Sequence, residues 1–313
     1  MTICVAALAE ESEAIVLIAD KALTYGDNIY RPAMQGESGV IKMIEIKNAR
    51  WAALLAGSPT VGEQIVTAAE STLAGDPGQG DTHAGMMDCL KTAYQTVREK
   101  TVIDQVLGAR LLTKEAFIMR GKDYLPLPDV YFLNVATEVA DFNANCSLLV
   151  CGFDKQGRGC IFSVRNPGVV TNQTLEGFGA IGNATETALS RFLWVGAAAD
   201  DDLDVALYQA FDAKRHAEMI QGVGYFSDAW IMTPSRTEKV PQDMISLLEI
   251  VFDGATRLPF KPREGWNPRR PIPRDWEAAL KRFTDSALKP KRRRVRSRAS
   301  VPEKREHEPE ASG

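Results

Sequence analysis

Two apolar runs open the chain, residues 2–10 and 14–20 ("AIVLIAD"), separated by "EESE". Such runs fit strands buried on both faces of a sheet that lies between other layers. A turn-rich stretch follows at Gly26, Asp27, Asn28 and Pro32, and then two more strands, 40–47 and 50–56, joined through Asn48-Ala49. After Gly57-Ser58-Pro59 the period changes. Val61, Ile65, Ala68, Ala69 and Leu73 recur at helical spacing, with Ser58 placed as N-cap and Pro59 at the first helical position. "GDPGQG" from Gly75 ends that helix, and a longer helical region runs from about Thr82 towards Met119 with a break near Gly108.

Strand periodicity returns at 146–153 and 159–164, connected through Asp154-Lys155-Gln156-Gly157 as a hairpin. A strand near 175–181 leads into a helix from about Asn183, a second helix covers about 202–220, a strand spans 226–233, and a helix follows at about 241–252. The order is strands, helices, strands, helices, strand. Segregated blocks of this kind predict an α+β architecture in layers rather than alternating βαβ units. The expected organisation is a main domain over 2–257, a Pro/Arg-rich surface arm over 258–288 with a short helix at about 274–286, and a disordered charged tail over 289–313.

Composition narrows the classes. With 45% hydrophobic and 25% charged residues, the 313-residue chain reads as globular. No apolar run reaches the roughly 18 to 20 residues that span a bilayer, and no secretory leader is recognisable at the start, so the expectation is a cytoplasmic protein without a membrane contact. Five cysteines without CxxC spacing read as buried free thiols, and three histidines make a His-based metal site unexpected. No cofactor is expected. The net charge of −4 hides an asymmetry: the last 25 residues take nine of the 37 cations and four of the 41 acids, which leaves residues 1–288 at −9. Seven of those cations crowd into "KPKRRRVRSR", enough to tether the chain to nucleic acid or another polyanion, or simply to form a solvated tail.

Thr2 is the most suggestive single residue. Once Met1 is removed, it carries a hydroxyl and a free α-amine on one residue, a nucleophile with its own general base. The residues that follow it resemble the proteasome β-subunit and HslV branch of the N-terminal nucleophile hydrolases. In that family a threonine begins the mature chain, and the second strand of a hairpin ends in an acid with a threonine four residues on, as Asp20 and Thr24 do in "IADKALT". A lysine opens the next strand, matched by Lys42 in "KMIEI", and a glycine ends the following one, matched by Gly57 in "LLAGSPTVG". "LLVCGFDKQGRGCIFSV" resembles the family's central hairpin, and "AIGNATETAL" its strand-to-helix junction, here Gly182-Asn183-Ala184. The family's distal Asp and Ser have no clear counterpart in "AKRHAEMIQGVGYFSDAWIM".

Over residues 2–250 the resemblance implies a four-layer αββα sandwich, a peptide or amide substrate, and assembly into rings or helical arrays; an unfoldase is a further partner the basic tail could contact. It also implies roles. Thr2 would be the nucleophile, Lys42 would favour its alkoxide, Asp20 would hold Lys42, and the Gly57 N–H would receive the oxyanion. Thr24 would orient substrate or only satisfy strand propensity. Asn183 would support the site, or cap a helix together with Glu186. Asp228, odd for a strand interior, would pair with the Thr2 environment or sit at an interface. Asp20 with Lys42 also reads as a plain ion pair, and Gly57 as punctuation, in which case the chain would be a catalytically silent assembly subunit.

Overall fold

The computed structural model describes residues 2–25, 34–37, 42–46, 50–119, 128–220, 223–256 and 275–289. The turns expected at Gly26 to Asn28 and at Asn48-Ala49 lie outside the described residues, as do residue 257, residues 258–274 of the arm and the tail from 290. In chain order the strands are β1 (Ile3–Ala9), β2 (Ala14–Asp20), β3 (Ala22–Tyr25), β4 (Met34–Glu37), β5 (Met43–Ile46), β6 (Trp51–Gly57), β7 (Cys146–Phe153), β8 (Gly159–Arg165), β9 (Val169–Asn172), β10 (Phe178–Gly182), β11 (Ser227–Thr233) and β12 (Arg236–Lys239). The α-helices are α1 (Pro59–Gly75), α2 (His83–Val102), α3 (Asp129–Asp141), α4 (Thr185–Val195), α5 (Leu203–Ala217), α6 (Gln242–Thr256) and α7 (Trp276–Leu288).

Two antiparallel five-stranded sheets form the centre, ordered β10-β1-β2-β11-β12 and β5-β6-β7-β8-β9; β3 and β4 pair separately. Strand alternation sorts the apolar residues into three cores. Cys4, Ala6 and Leu8 of β1 and Ile15, Leu17 and Ala19 of β2 face Ala52, Leu54, Leu149 and Cys151 between the sheets. Ile3, Val5, Val16 and Ile18 point the other way, onto Phe192 of α4, Leu207 and Phe211 of α5 and Leu248 of α6. On the far side, Ala53, Leu55, Leu148 and Phe162 meet Ile65 and Ala69 of α1 and Leu90 and Tyr94 of α2. The result is an α+β sandwich with helices outside both sheets. "AIVLIAD" is apolar throughout because both of its faces are covered, each buried aliphatic side chain contributing about 1.5 to 3 kcal/mol.

Ser58 caps α1 as expected, accepting from the Val61 amide at 3.4 Å, with Pro59 in the first turn. The longer helical region breaks a little before Gly108: α2 ends at Val102, and a π turn (Ile103–Leu107) and a 3-10 turn (Gly108–Arg110) follow. The short helix expected in the arm is present. It is α7, and its Leu280 and Ala287 are buried in the same core as α5 and α6. Arg236 fastens its end, donating to the Ser286 carbonyl at 2.6 Å.

Registers decide where strand ends meet. Cys4 opposite Ala19 brings the start of β1 to the end of β2. Ile3 opposite Gly182 adds the end of β10, and Ser227 opposite Asp20 adds the start of β11. From the second sheet, Leu55 N–H donates to the Lys42 carbonyl at 2.8 Å, placing the approach to β5 beside the end of β6.

Candidate active site

Thr2, Asp20 and Lys42 meet where those strand ends converge. The Lys42 side chain spans from one sheet to the other, its Nζ 2.9 Å from Thr2 Oγ1 and 2.8 Å from Asp20 Oδ1. All three residues are buried, and the charged pair is nearly sealed, with side-chain exposures of 5% for Lys42 and 0% for Asp20. Removing two ions from water costs several kcal/mol each unless their hydrogen-bonding capacity is filled. Asp20 is filled: Oδ1 also accepts the Ile3 amide at 3.0 Å, and Oδ2 accepts the Gly224 amide at 3.0 Å.

Thr2 is held by its backbone. Its carbonyl accepts the Asn183 amide at 3.1 Å, and Gly182 beside it has φ +111°. A Cβ at Gly182 would stand 2.0 Å from the Thr2 oxygen, so only glycine admits this approach. Thr2 shares the strand face of Cys4 and Ala6, which turns its side chain towards the space between the sheets.

Gly57 ends β6, the strand that lies beside Lys42 at the approach to β5. Cys4 Sγ lies 3.5 Å from the Leu55 carbonyl, and Thr2 and Gly57 are each two residues further outward along their strands. Gly57 is exposed and has φ +99°, with the Asn145 carbonyl 2.0 Å from where a Cβ would be. Its lack of a side chain is therefore required by the backbone beside it. The Cys4 thiol does not compete as a nucleophile: burial, reinforced by the Asp20 carboxylate, holds its pKa far above the ordinary thiol range.

The other expected residues fall elsewhere. Thr24 lies on β3 opposite Gln35. Asn183 contributes its amide to Thr2 rather than a side-chain cap: the N-cap of α4 is Ala184, which makes no side-chain hydrogen bond, so the pairing with Glu186 is not formed. Thr185 Oγ1 donates to the Gly182 carbonyl at 2.6 Å and steadies that junction. Asp228 bonds neither Thr2 nor Lys42. It pairs with Lys21 at 3.1 Å and Lys239 at 3.0 Å, because its side chain falls on the open end of β11 between the two lysines. These three line a cleft of about 140 Å³ with Met43 and Trp230, and Asp20 and Lys42 form part of its wall.

Several contributors were not read from the sequence. Gly224 supplies a backbone donor, which side-chain patterns do not reveal. Ser227, across the ladder from Asp20, has a buried Oγ with no partner among the described residues. Lys214, in the basic end of α5, is fully buried.

A second cluster of reactive groups lacks catalytic geometry. Cys160 Sγ is 2.7 Å from His83 Nε2, and Asp154 Oδ2 is 3.5 Å from that same nitrogen. An acid that orients a histidine must sit on the other ring nitrogen. Cys160 is moreover buried, with its pKa pushed up to about 12 by burial and the nearby Asp154 charge. All five cysteines are free and buried, as expected. Among the described residues no group of three or more His, Cys, Asp or Glu is placed to hold a metal ion, and no helix is long and apolar enough to cross a membrane.

The sequence matches no protein-family model, and no curated protein matches it.

Proposed function

We propose that the chain is a threonine-dependent amide hydrolase, acting on peptide bonds, whose nucleophile is Thr2 after cleavage of the Met1–Thr2 bond. One observation carries this reading: a buried ammonium, Lys42 Nζ, hydrogen-bonded to a threonine hydroxyl at the start of a strand and fixed from behind by Asp20. The proposal extends to membership of the N-terminal nucleophile hydrolases, for which the layered sandwich and the resemblance at Thr2, Asp20, Lys42 and Gly57 are the support.

In this mechanism the freed Thr2 α-amine, with an ordinary pKa of about 7.7 to 8.0, takes the hydroxyl proton as Oγ1 attacks the substrate carbonyl. Lys42 stabilises the alkoxide as it forms, and the Gly57 N–H accepts the role of oxyanion donor, an interaction whose loss typically costs about 2.7 to 4 kcal/mol of activation energy. The tetrahedral intermediate collapses, the C–N bond breaks, and the α-ammonium returns the proton to the leaving amine. Water, deprotonated by the same amine, then hydrolyses the Thr2 ester. Homo-oligomeric assembly belongs to the same reading. The exposed Trp194 of α4 and Val130 and Leu133 of α3 are apolar surface of the kind subunit contacts cover.

An electrophilic threonine-directed probe with peptide mapping tests the proposal. The expected result is an N-terminus beginning at Thr2, with the label on that residue and lost in Thr2→Ala. Retention of Met1 on the purified protein, or equal labelling of the mutant, would exclude Thr2 as the nucleophile.

A further inference from the structure

We propose that Lys214 is a positioning residue for the site: through the loop at 224–225 it aims the Gly224 amide at Asp20, and so sets the carboxylate that holds Lys42 against Thr2. This inference rests on the hydrolase reading given above.

Lys214 lies in the last turns of α5 and is completely buried. An ammonium there is expensive unless each of its three protons has an acceptor. Each has one: Glu218 Oε1 at 2.6 Å, the Gly224 carbonyl at 2.9 Å and the Tyr225 carbonyl at 2.6 Å. Two consecutive carbonyls are thus drawn to a single cation, which fixes the orientation of the peptide units on either side of Tyr225. The amide at the head of this clamped segment, Gly224 N–H, donates to Asp20 Oδ2 at 3.0 Å. At the other end, the Phe226 carbonyl accepts the amide of Lys21, the residue after Asp20, at 3.0 Å. The loop is therefore tied to α5 on one side and to the end of β2 on the other.

Neighbours reinforce the clamp. Arg215 Nη1 donates to the second oxygen of Glu218 at 2.8 Å, and the Arg215 guanidinium stands 4.3 Å from the centre of the Tyr225 ring. Burial lowers the Lys214 pKa from its ordinary value, and Glu218 and Asp20 oppose that fall. A purely apolar filling would close the same volume without charge. It would leave two carbonyls unclaimed and the Gly224 amide free to turn away from Asp20.

The test compares the parent with Lys214→Met and with Lys214→Met/Glu218→Leu; the double variant also removes Glu218 Oε1, which the single variant leaves without its ammonium, while Arg215 keeps Asp253 at 3.5 Å, and it decides the question if the single variant does not fold. Three quantities are read: the maximal inactivation rate and the half-saturating concentration of the electrophilic probe, and exchange of the Gly224 amide by NMR on glycine-labelled protein. The expected result is a fall of about tenfold in the maximal rate, equivalent to about 1.4 kcal/mol, with the half-saturating concentration little changed. Gly224 exchange should accelerate while the Gly179 and Gly152 amides keep their protection. A maximal rate within about twofold of the parent in a folded variant would overturn the proposal. So would unchanged Gly224 exchange. A parent that takes no label at Thr2 would sink the hydrolase reading instead; the exchange experiment would still decide whether Lys214 governs the Gly224 contact with Asp20.

Discussion

Asp20→Asn changes one atom and should be among the most damaging substitutions in the protein. The carboxylate accepts Ile3 N–H and Lys42 Nζ on Oδ1 and Gly224 N–H on Oδ2. An amide has one accepting oxygen and one NH2. If the oxygen takes the Oδ1 place, the NH2 confronts the Gly224 N–H; if flipped, it confronts Ile3 N–H and the ammonium together. In either orientation Lys42, 5% exposed, loses its countercharge. Breaking a buried pair from one side costs about 3 to 5 kcal/mol, and a donor left unsatisfied about 1 to 3 kcal/mol. The two overlap within one network, so the expected loss is about 4 kcal/mol, a large share of a typical total of about 5 to 15 kcal/mol. Urea unfolding followed by the fluorescence of buried Trp51 measures it. Lys42→Met should cost less, because the anion keeps two amide donors, and the double variant should fall short of the summed losses by at least about 1 kcal/mol. A loss under about 1 kcal/mol for Asp20→Asn, or additivity within about 0.5 kcal/mol, would refute the coupled buried pair.

Gly182→Ala should lower probe labelling at Thr2 by at least about tenfold, since the new Cβ meets the Thr2 carbonyl at 2.0 Å and the Thr2 backbone must move; unchanged labelling kinetics would show that the junction does not set the Thr2 position. His216 offers a pH signature. Its hydrogen bond with Asp212 raises its pKa above 6.5, so its stabilisation is complete below the unfolded value and fades as pH rises through the folded one. Burial pushes Asp212 upward, but His216 and Arg191 outweigh it and hold it below 3.8, so that contribution is present above the unfolded value and fades as pH falls through the folded one. The urea midpoint should therefore drop between about pH 6 and pH 8, and His216→Gln should flatten the drop; equal slopes in the two proteins would contradict the assignment.

Much of the fold was legible because it depends on local or periodic patterns. Ser58-Pro59 announces α1 through the helix's own unsatisfied amides, and "AIVLIAD" announces a strand covered on both faces. The edge strands β9 ("VVTN") and β12 ("RTEK") escape the pattern, since four residues, half of them polar in β9 and all in β12, show no clear alternation and only pairing with β8 and β11 makes them strands. The helix of the arm was placed to within a few residues, yet its docking was not visible: amphipathicity shows that a face exists but not what covers it. Asn183 followed by Glu186 satisfied a capping pattern that lost to a tertiary contact, the Asn183 amide on the Thr2 carbonyl. Asp228 looked anomalous because its lysine partners stand on different strands.

Most of the strands and helices, the doubly covered strand at 14–20 and the residue kinds at Thr2, Asp20, Lys42 and Gly57 are legible in the chain alone. These follow from periodicity and chemistry that each segment carries within itself. Tertiary structure alone decided that a lysine at the approach to β5 crosses to the other sheet, that Asp20 is completed by two backbone amides, and that Lys214 is buried behind them. Those contacts join residues as far apart as positions 20 and 224, and they exist only because strand registers bring four chain segments to one rim. A backbone amide has no side-chain signature, and a buried lysine is spelled like an exposed one, so neither could be recognised before the chain was folded.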